Sequence, residues 1–217
     1  MPEPEYQRAV AGFVLEQLPP PPASVLEVGC GHGELARELE QVGYRVVAID
    51  PEAPEGPIFR SVRLEDFDEV GPFDAVVASL SLHHIGDLGA AVSKVAGLLP
   101  PDGVLVLNEW DLDRFAGRTA HWYFHQRQAL AALGREQAEI EPTFEEWWRE
   151  WRVRRSDIHP YDAIRPELDR HFDERLLEWV PYLYGYRLGG ELEPLEGALI
   201  ATGEIDAVGF RYVGERR

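Results

Sequence analysis

Residues 25–34 read Val-Leu-Glu-Val-Gly-Cys-Gly-His-Gly-Glu, an apolar run that passes directly into three alternating glycines. Gly29, Gly31 and Gly33 permit tight backbone angles and let a ligand reach the main chain with no Cβ in the way. At the carboxyl end of a buried strand, such a turn suits a nucleotide-like ligand. Asp50 closes the next apolar run, Arg45 to Ile49, where its carboxylate can bridge two ribose hydroxyls. Two segments therefore aim at one ligand. Cys30, the single cysteine, sits in the turn as a small apolar residue with no redox role. His83 and His84 are adjacent further along. As a metal pair they are disfavoured, because neighbouring residues on regular structure point apart and no Cys or carboxylate joins them at ligand spacing. No metal site is expected.

The class of nucleotide turns on one position. The dinucleotide fingerprint G-x-G-x-x-G requires glycine where this chain has Glu34, and Gly33 stands one residue early. A carboxylate at a helix N-terminus would also oppose a bound pyrophosphate. A nicotinamide-dependent oxidoreductase is thus the weaker reading, and a ligand without phosphate meets no such objection.

The elements that must position these residues follow from periodicity. Val25 to Val28, Arg45 to Ile49, Ala75 to Ala78 and Val104 to Leu107 are short apolar runs without strict alternation, as expected of buried parallel strands. Helical patterns over Tyr6 to Leu18, Glu34 to Val42 and Leu88 to Leu99 intervene, with turn signals at Gly43 and Pro100-Pro101-Asp102-Gly103. This alternation implies an α/β, doubly wound sheet. Val208 to Val213 alternates apolar and polar residues, as a final edge-side strand would.

Between about 111 and 186 the composition turns aromatic, with Trp122, Tyr123, Phe124, Trp147, Trp148, Trp151, Trp179, Tyr182, Tyr184 and Tyr186. This half reads as helical, with about 111–175 a cap or lid insertion within a single domain spanning 1–217. Each aromatic taken singly reads as core.

Asp and Glu total 39 against 21 Lys and Arg, a formal charge of -18 that repels polyanions. Nucleic acid and anionic membrane are therefore not expected as partners, and Arg152, Arg154 and Arg155 read as a solvated helix face. The lone cysteine fits a reducing compartment, and no apolar run is long enough to span a bilayer, so the cytoplasm is the expected location.

Residues 24 to 109 resemble the class I S-adenosylmethionine-dependent methyltransferases, specifically the small-molecule, type 11-like group. Glu27 to Gly33 matches that family's Glu/Asp-x-Gly-x-Gly-x-Gly. Phe73-Asp74-Ala75-Val76 and Leu82-His83-His84 resemble its Phe-Asp-x-Val and Leu-His-His, and Pro100 to Gly103 resembles its Lys-Pro-Gly-Gly turn with two residues changed. The resemblance implies a Rossmann-like methyltransferase fold with a mostly parallel seven-stranded sheet. It also implies S-adenosyl-L-methionine as cofactor, S-adenosyl-L-homocysteine as product, and O- or N-methylation of a small-molecule acceptor.

By the same resemblance, Glu27, Gly29, Cys30, Gly31 and Gly33 line the methionine and ribose side of the cofactor, and Asp50 with Pro51 holds the ribose. Arg63 occupies a slot that often holds an adenine-binding Asp, which leaves adenine to the main chain of Leu64 and Glu65. Ser79 and Leu80 border the cofactor after the fourth strand. The loop beyond them abuts the methyl-transfer region, which makes His84, with His83 beside it, the expected base when the acceptor must lose a proton. Otherwise positioning alone suffices, because a sulfonium methyl is already activated. Glu109, Asp111, His121, His125 and His159 are further candidates, each better explained as a surface or helix-capping group. Pro51 to Pro57 is too short and proline-rich for the family's second helix. The alternative from another class is a non-catalytic S-adenosylmethionine-binding protein, which would lack an open acceptor pocket under the aromatic half.

Overall fold

A computed structural model describes residues 4–69, 71–135 and 141–217. Strands β1 (Ser24–Val28), β2 (Arg45–Asp50), β3 (Phe59–Ser61), β4 (Ala75–Ser79) and β5 (Val104–Trp110) pair in parallel. β6 (Phe172–Val180) and β7 (Gly209–Arg216) complete a seven-stranded sheet in the order β3-β2-β1-β4-β5-β7-β6. β7 runs antiparallel to both of its neighbours. β1 and β4 lie side by side where the strand order reverses, and open α/β sheets bind ligands at the carboxyl ends of the strands at such a point. The expected doubly wound architecture is present.

Alternate residues of the central strands feed two cores. Val25, Val77 and Val106 face one, with α1 (Pro4–Gln17), α2 (Glu34–Val42), α4 (Gly117–Ala132) and α5 (Phe144–Val153) packed over them. Leu26, Val76 and Leu105 face the other, under α3 (Leu88–Leu98) and α6 (Tyr161–His171). Covering on both faces explains the absence of alternation, and β5 is buried at all 7 of its positions. α7 (Glu193–Ala201) follows β6.

Two local expectations are revised. β7 is not an edge strand but lies between β5 and β6. Its polar alternate, Arg211, is covered rather than solvated: its guanidinium sits 4.7 Å from the Phe13 ring centroid and donates to the Ala9 carbonyl of α1. The segment 111–175 does not form one layer either. α4 and α5 hold the aromatic cluster, whereas Ile164 and Leu168 of α6 pack in the opposite core, and residues from 172 onward form β6. Residues 136–140 of that segment lie outside the described residues. Between β2 and β3 there is no helix, as the prolines require. Among the described residues no helix is long and apolar enough to cross a membrane.

Candidate functional site

Gly29, Gly31 and Gly33 all adopt positive φ, at 77°, 51° and 80°. Their reasons differ. A Cβ on Gly29 would lie 2.2 Å from the Ser81 Cβ, and one on Gly33 would lie 2.4 Å from the Phe59 ring, so packing demands both glycines. At Gly31 a Cβ would meet nothing within 4 Å, and the backbone there faces open space. Gly33, expected to touch a ligand, instead forms the left-handed N-cap of α2 against Phe59 and borders none of the cavities around the turn.

Two cavities flank the turn. One, of about 360 Å³, is bordered by Glu27, Gly29, Cys30, Gly31, Ser79 and Leu80, and on the α1 side by Tyr6, Gln7 and Val10. The other, of about 350 Å³, takes in Asp50, Pro51, Arg63, Leu64, Glu65 and His84, with Gly29, Gly31 and Leu80 on its shared side. A third, of about 340 Å³, opens beneath the aromatic helices, bordered by Leu80, His83, His84, Trp110, Trp151 and Tyr182. All three meet at Leu80. Its φ of 53° is unusual for a branched side chain and costs about 1–2 kcal/mol, a strain that clusters at functional sites.

The electrostatics of the turn are anionic. Glu27 is 3% exposed, and its Oε2 has no hydrogen-bond partner. Burial first, then the nearby Glu34 and Asp50 carboxylates, push its carboxyl up to about 8, against the opposing backbone N–H of Ala36. The Cys30 thiol is pushed up to about 12 by burial and by Glu27 and Asp50, which keeps it from serving as a thiolate nucleophile. Asp50 accepts from the Gly31 N–H at 3.1 Å and the Glu52 N–H at 2.8 Å, so it ties the end of β2 to the glycine turn. Each of its oxygens keeps a further lone pair for a ligand hydroxyl.

The paired histidines do not point apart as expected. They sit on a short 3-10 turn over Leu82–His84, where the rings lie against each other, centroids 4.1 Å apart and planes tilted by 44°. His83 is 3% exposed, its Nδ1 bonds Glu109, and its Nε2 accepts from the Trp110 indole N–H at 3.3 Å. With both nitrogens engaged, His83 is a structural residue and not a free base. His84 borders both the Asp50 cavity and the aromatic one. Partial burial and the neighbouring His83 lower its pKa, so the ring is neutral near pH 7.

Consecutive residues at the end of β5 arrange these parts. Asn108 donates to Ser79 Oγ and to the Tyr6 hydroxyl, anchoring α1 over the first cavity. Glu109 is fully buried and accepts from the Ser81 and Leu82 N–H groups as well as His83, so it shapes the loop after β4 rather than serving at the surface. Asp111 caps a turn through Asp113 and Arg114 and accepts from the Tyr161 N–H. His159 bonds the Ile85 carbonyl, His121 stacks on Phe144, and His125 lies near Gln128. None of these three borders the aromatic cavity.

Sequence reasoning missed Tyr6, Asn108 and Glu196. Buried Glu196 accepts from the N–H groups of Tyr182, Leu183 and Tyr184 at 2.7–2.9 Å and thereby fixes the turn that carries two aromatic walls. An acid flanked by apolar residues in Leu195 to Ala198 was the available signal. Arg155, whose charged neighbours read as a solvated face, is half-buried. It lies over the Trp151 and Tyr186 rings and borders the aromatic cavity.

A family model described as a methyltransferase domain matches residues 4–180. The chain belongs to the methyltransferase-domain family. The ubiquinone biosynthesis O-methyltransferase of Rhodopseudomonas palustris is 31% identical over 38% of this chain and 38% of its own length. The match thus spans well under half of that curated relative. A Mesorhizobium loti S-adenosylmethionine-dependent methyltransferase shares the fold at a TM-score of 0.62, with 16% identity and coverage of 94% and 96% of the two chains. The Burkholderia thailandensis 1,6-didemethyltoxoflavin-N1-methyltransferase, solved with bound 1,6-didemethyltoxoflavin and S-adenosylhomocysteine, aligns at a TM-score of 0.55 and 15% identity, covering 99% of this chain and 79% of that one.

Of the two solved neighbours one is an S-adenosylmethionine-dependent methyltransferase and the other holds S-adenosylhomocysteine, and the residues around the glycine turn of this chain fit such a cofactor. The orphaned Glu27 oxygen and the neighbouring Glu34 and Asp50 carboxylates match a cation and disfavour a pyrophosphate. Gly31 leaves room for close approach to its backbone.

Proposed function

We propose that this protein transfers the methyl group of S-adenosylmethionine to an oxygen or nitrogen of a small molecule held in the aromatic cavity. The observation that carries the reading is the meeting of three cavities at Leu80: two flank the glycine turn, and the third is open beneath the aromatic helices. A protein that only stored the cofactor would have no use for the third.

Bound S-adenosylmethionine supplies an electrophilic sulfonium methyl. Around it, Glu27 and the backbone at Gly31 hold the methionine part, Asp50 the ribose, and the Leu64–Glu65 main chain the adenine. α1, anchored through Tyr6, forms one wall of the first cavity. His84, neutral near pH 7 and bordering both sides of the junction, takes the proton that the acceptor hydroxyl or amine releases as its heteroatom bonds to the methyl carbon. The O-methyltransferase name of the Rhodopseudomonas palustris relative favours an oxygen acceptor.

Isothermal titration with S-adenosylmethionine, S-adenosylhomocysteine and NAD tests the cofactor side. Binding of both sulfur nucleotides, weakened in Gly31→Val and Asp50→Ala, is expected. Preference for NAD, or no binding at all, would remove the assignment.

A further inference from the structure

The three cavities differ in charge. Glu27, Glu34 and Glu38 border the one under α1, with no Lys or Arg among its lining residues. The aromatic cavity is the reverse: Arg154 and Arg155 border it and no carboxylate does, in a chain with 39 acids and 21 bases. Such a local inversion against the overall charge is a feature of a site selected for a ligand, because it is not what composition would supply.

The two arginines are not equivalent. Arg154 is paired at 3.6 Å with both Glu141 and Glu150. Arg155 has no carboxylate within 4 Å among the described residues. Its guanidinium lies 4.5 Å from the Trp151 ring centroid and 5.6 Å from that of Tyr186, and it donates to the Tyr186 hydroxyl. Those contacts fix its plane but use few of its five N–H donors. Trp110 and Tyr182 are stacked with an interplanar angle of 9°, and Tyr182 and Tyr186 with one of 11°. A row of parallel rings thus ends at an unpaired, oriented cation.

We infer that the acceptor is a planar aromatic carboxylate, its ring lying against the aromatic walls and its carboxylate paired with Arg155. This deepens the proposed methyl transfer and rests on it: the hydroxyl or amine to be methylated is then at the other end of the ring, toward Leu80 and His84. The two ends of the cleft would hold opposite charges, a cationic cofactor over Glu27 and an anionic acceptor on Arg155.

The test uses the protein saturated with S-adenosylhomocysteine and follows quenching of tryptophan fluorescence. The probes are 4-hydroxybenzoate, 3,4-dihydroxybenzoate and 4-hydroxycinnamate, each beside its neutral amide. At least one carboxylate is expected to bind about tenfold or more tightly than its amide, the discrimination a charged hydrogen-bonded pair provides. Arg155→Met should abolish that ratio and Arg155→Lys should restore part of it. S-adenosylhomocysteine affinity and melting temperature report whether each variant is folded. Equal binding of acids and amides, no binding of any acid, or a ratio that survives in folded Arg155→Met would overturn the inference. Failure of S-adenosylhomocysteine to bind the wild-type protein would instead overturn the cofactor reading beneath it.

Discussion

Glu27→Gln replaces a buried carboxyl that the folded chain keeps protonated well above the ordinary carboxylate range. The carboxyl, ordinarily at 4.5, is pushed up to about 8 by burial and by Glu34 and Asp50. The folded state therefore holds this proton more tightly than the unfolded state does. The group's contribution is fully present below the unfolded value and is withdrawn as pH rises through about 8. From about pH 6 to about pH 9 the folded carboxyl ionises while the unfolded one is already charged. At about 1.4 kcal/mol per pH unit over about two units, wild-type stability falls by about 3 kcal/mol relative to the neutral Gln variant. Urea unfolding of both proteins without cofactor, repeated across that pH range, measures the difference directly. The wild-type curve should fall away from the variant as pH rises. Parallel curves would show that Glu27 is not the strained acid described, and would remove the main electrostatic argument for a cationic ligand.

Gly31→Val should keep the fold, at a conformational cost of about 1–2 kcal/mol for its positive φ, yet lose S-adenosylhomocysteine binding, whereas Gly33→Val should lower the melting temperature because its side chain meets Phe59. Calorimetry of the two variants separates the effects. Glu109→Ala leaves two backbone N–H groups and His83 without their acceptor and should cost about 3–5 kcal/mol in denaturant unfolding. A loss below about 1 kcal/mol would contradict its role in shaping the loop after β4. Once an acceptor is in hand, the acid limb of methyl transfer should lie below pH 6.5, because His84 titrates below its ordinary value and must be neutral to take a proton. His84→Gln should lower the rate and flatten that limb; an unchanged pH profile would exclude His84 as the base.

Sequence alone determined the fold class and the place of the glycine turn. Those features are local: apolar runs of strand length, glycines at fixed spacing, an acid ending β2, and prolines that forbid a helix before β3. Each is written in a few consecutive residues whose backbone preferences survive any context. The tertiary structure decided the rest. Whether a glycine serves packing or a ligand depends on what stands opposite, Ser81 and Phe59 for Gly29 and Gly33 but open space for Gly31. Whether a histidine is free depends on partners 26 or 27 residues away, as Glu109 and Trp110 occupy His83 and leave His84 at the junction. α1 is far from the rest of the site along the chain and reaches it through Tyr6 and Asn108, 102 positions apart. Arg155 reads as solvated because its neighbours are charged; the rings that flank it, Trp151 and Tyr186, come from α5 and from beyond β6. Burial and long-range pairing set the charge of each cavity, and neither is encoded in the spacing of residues along one element.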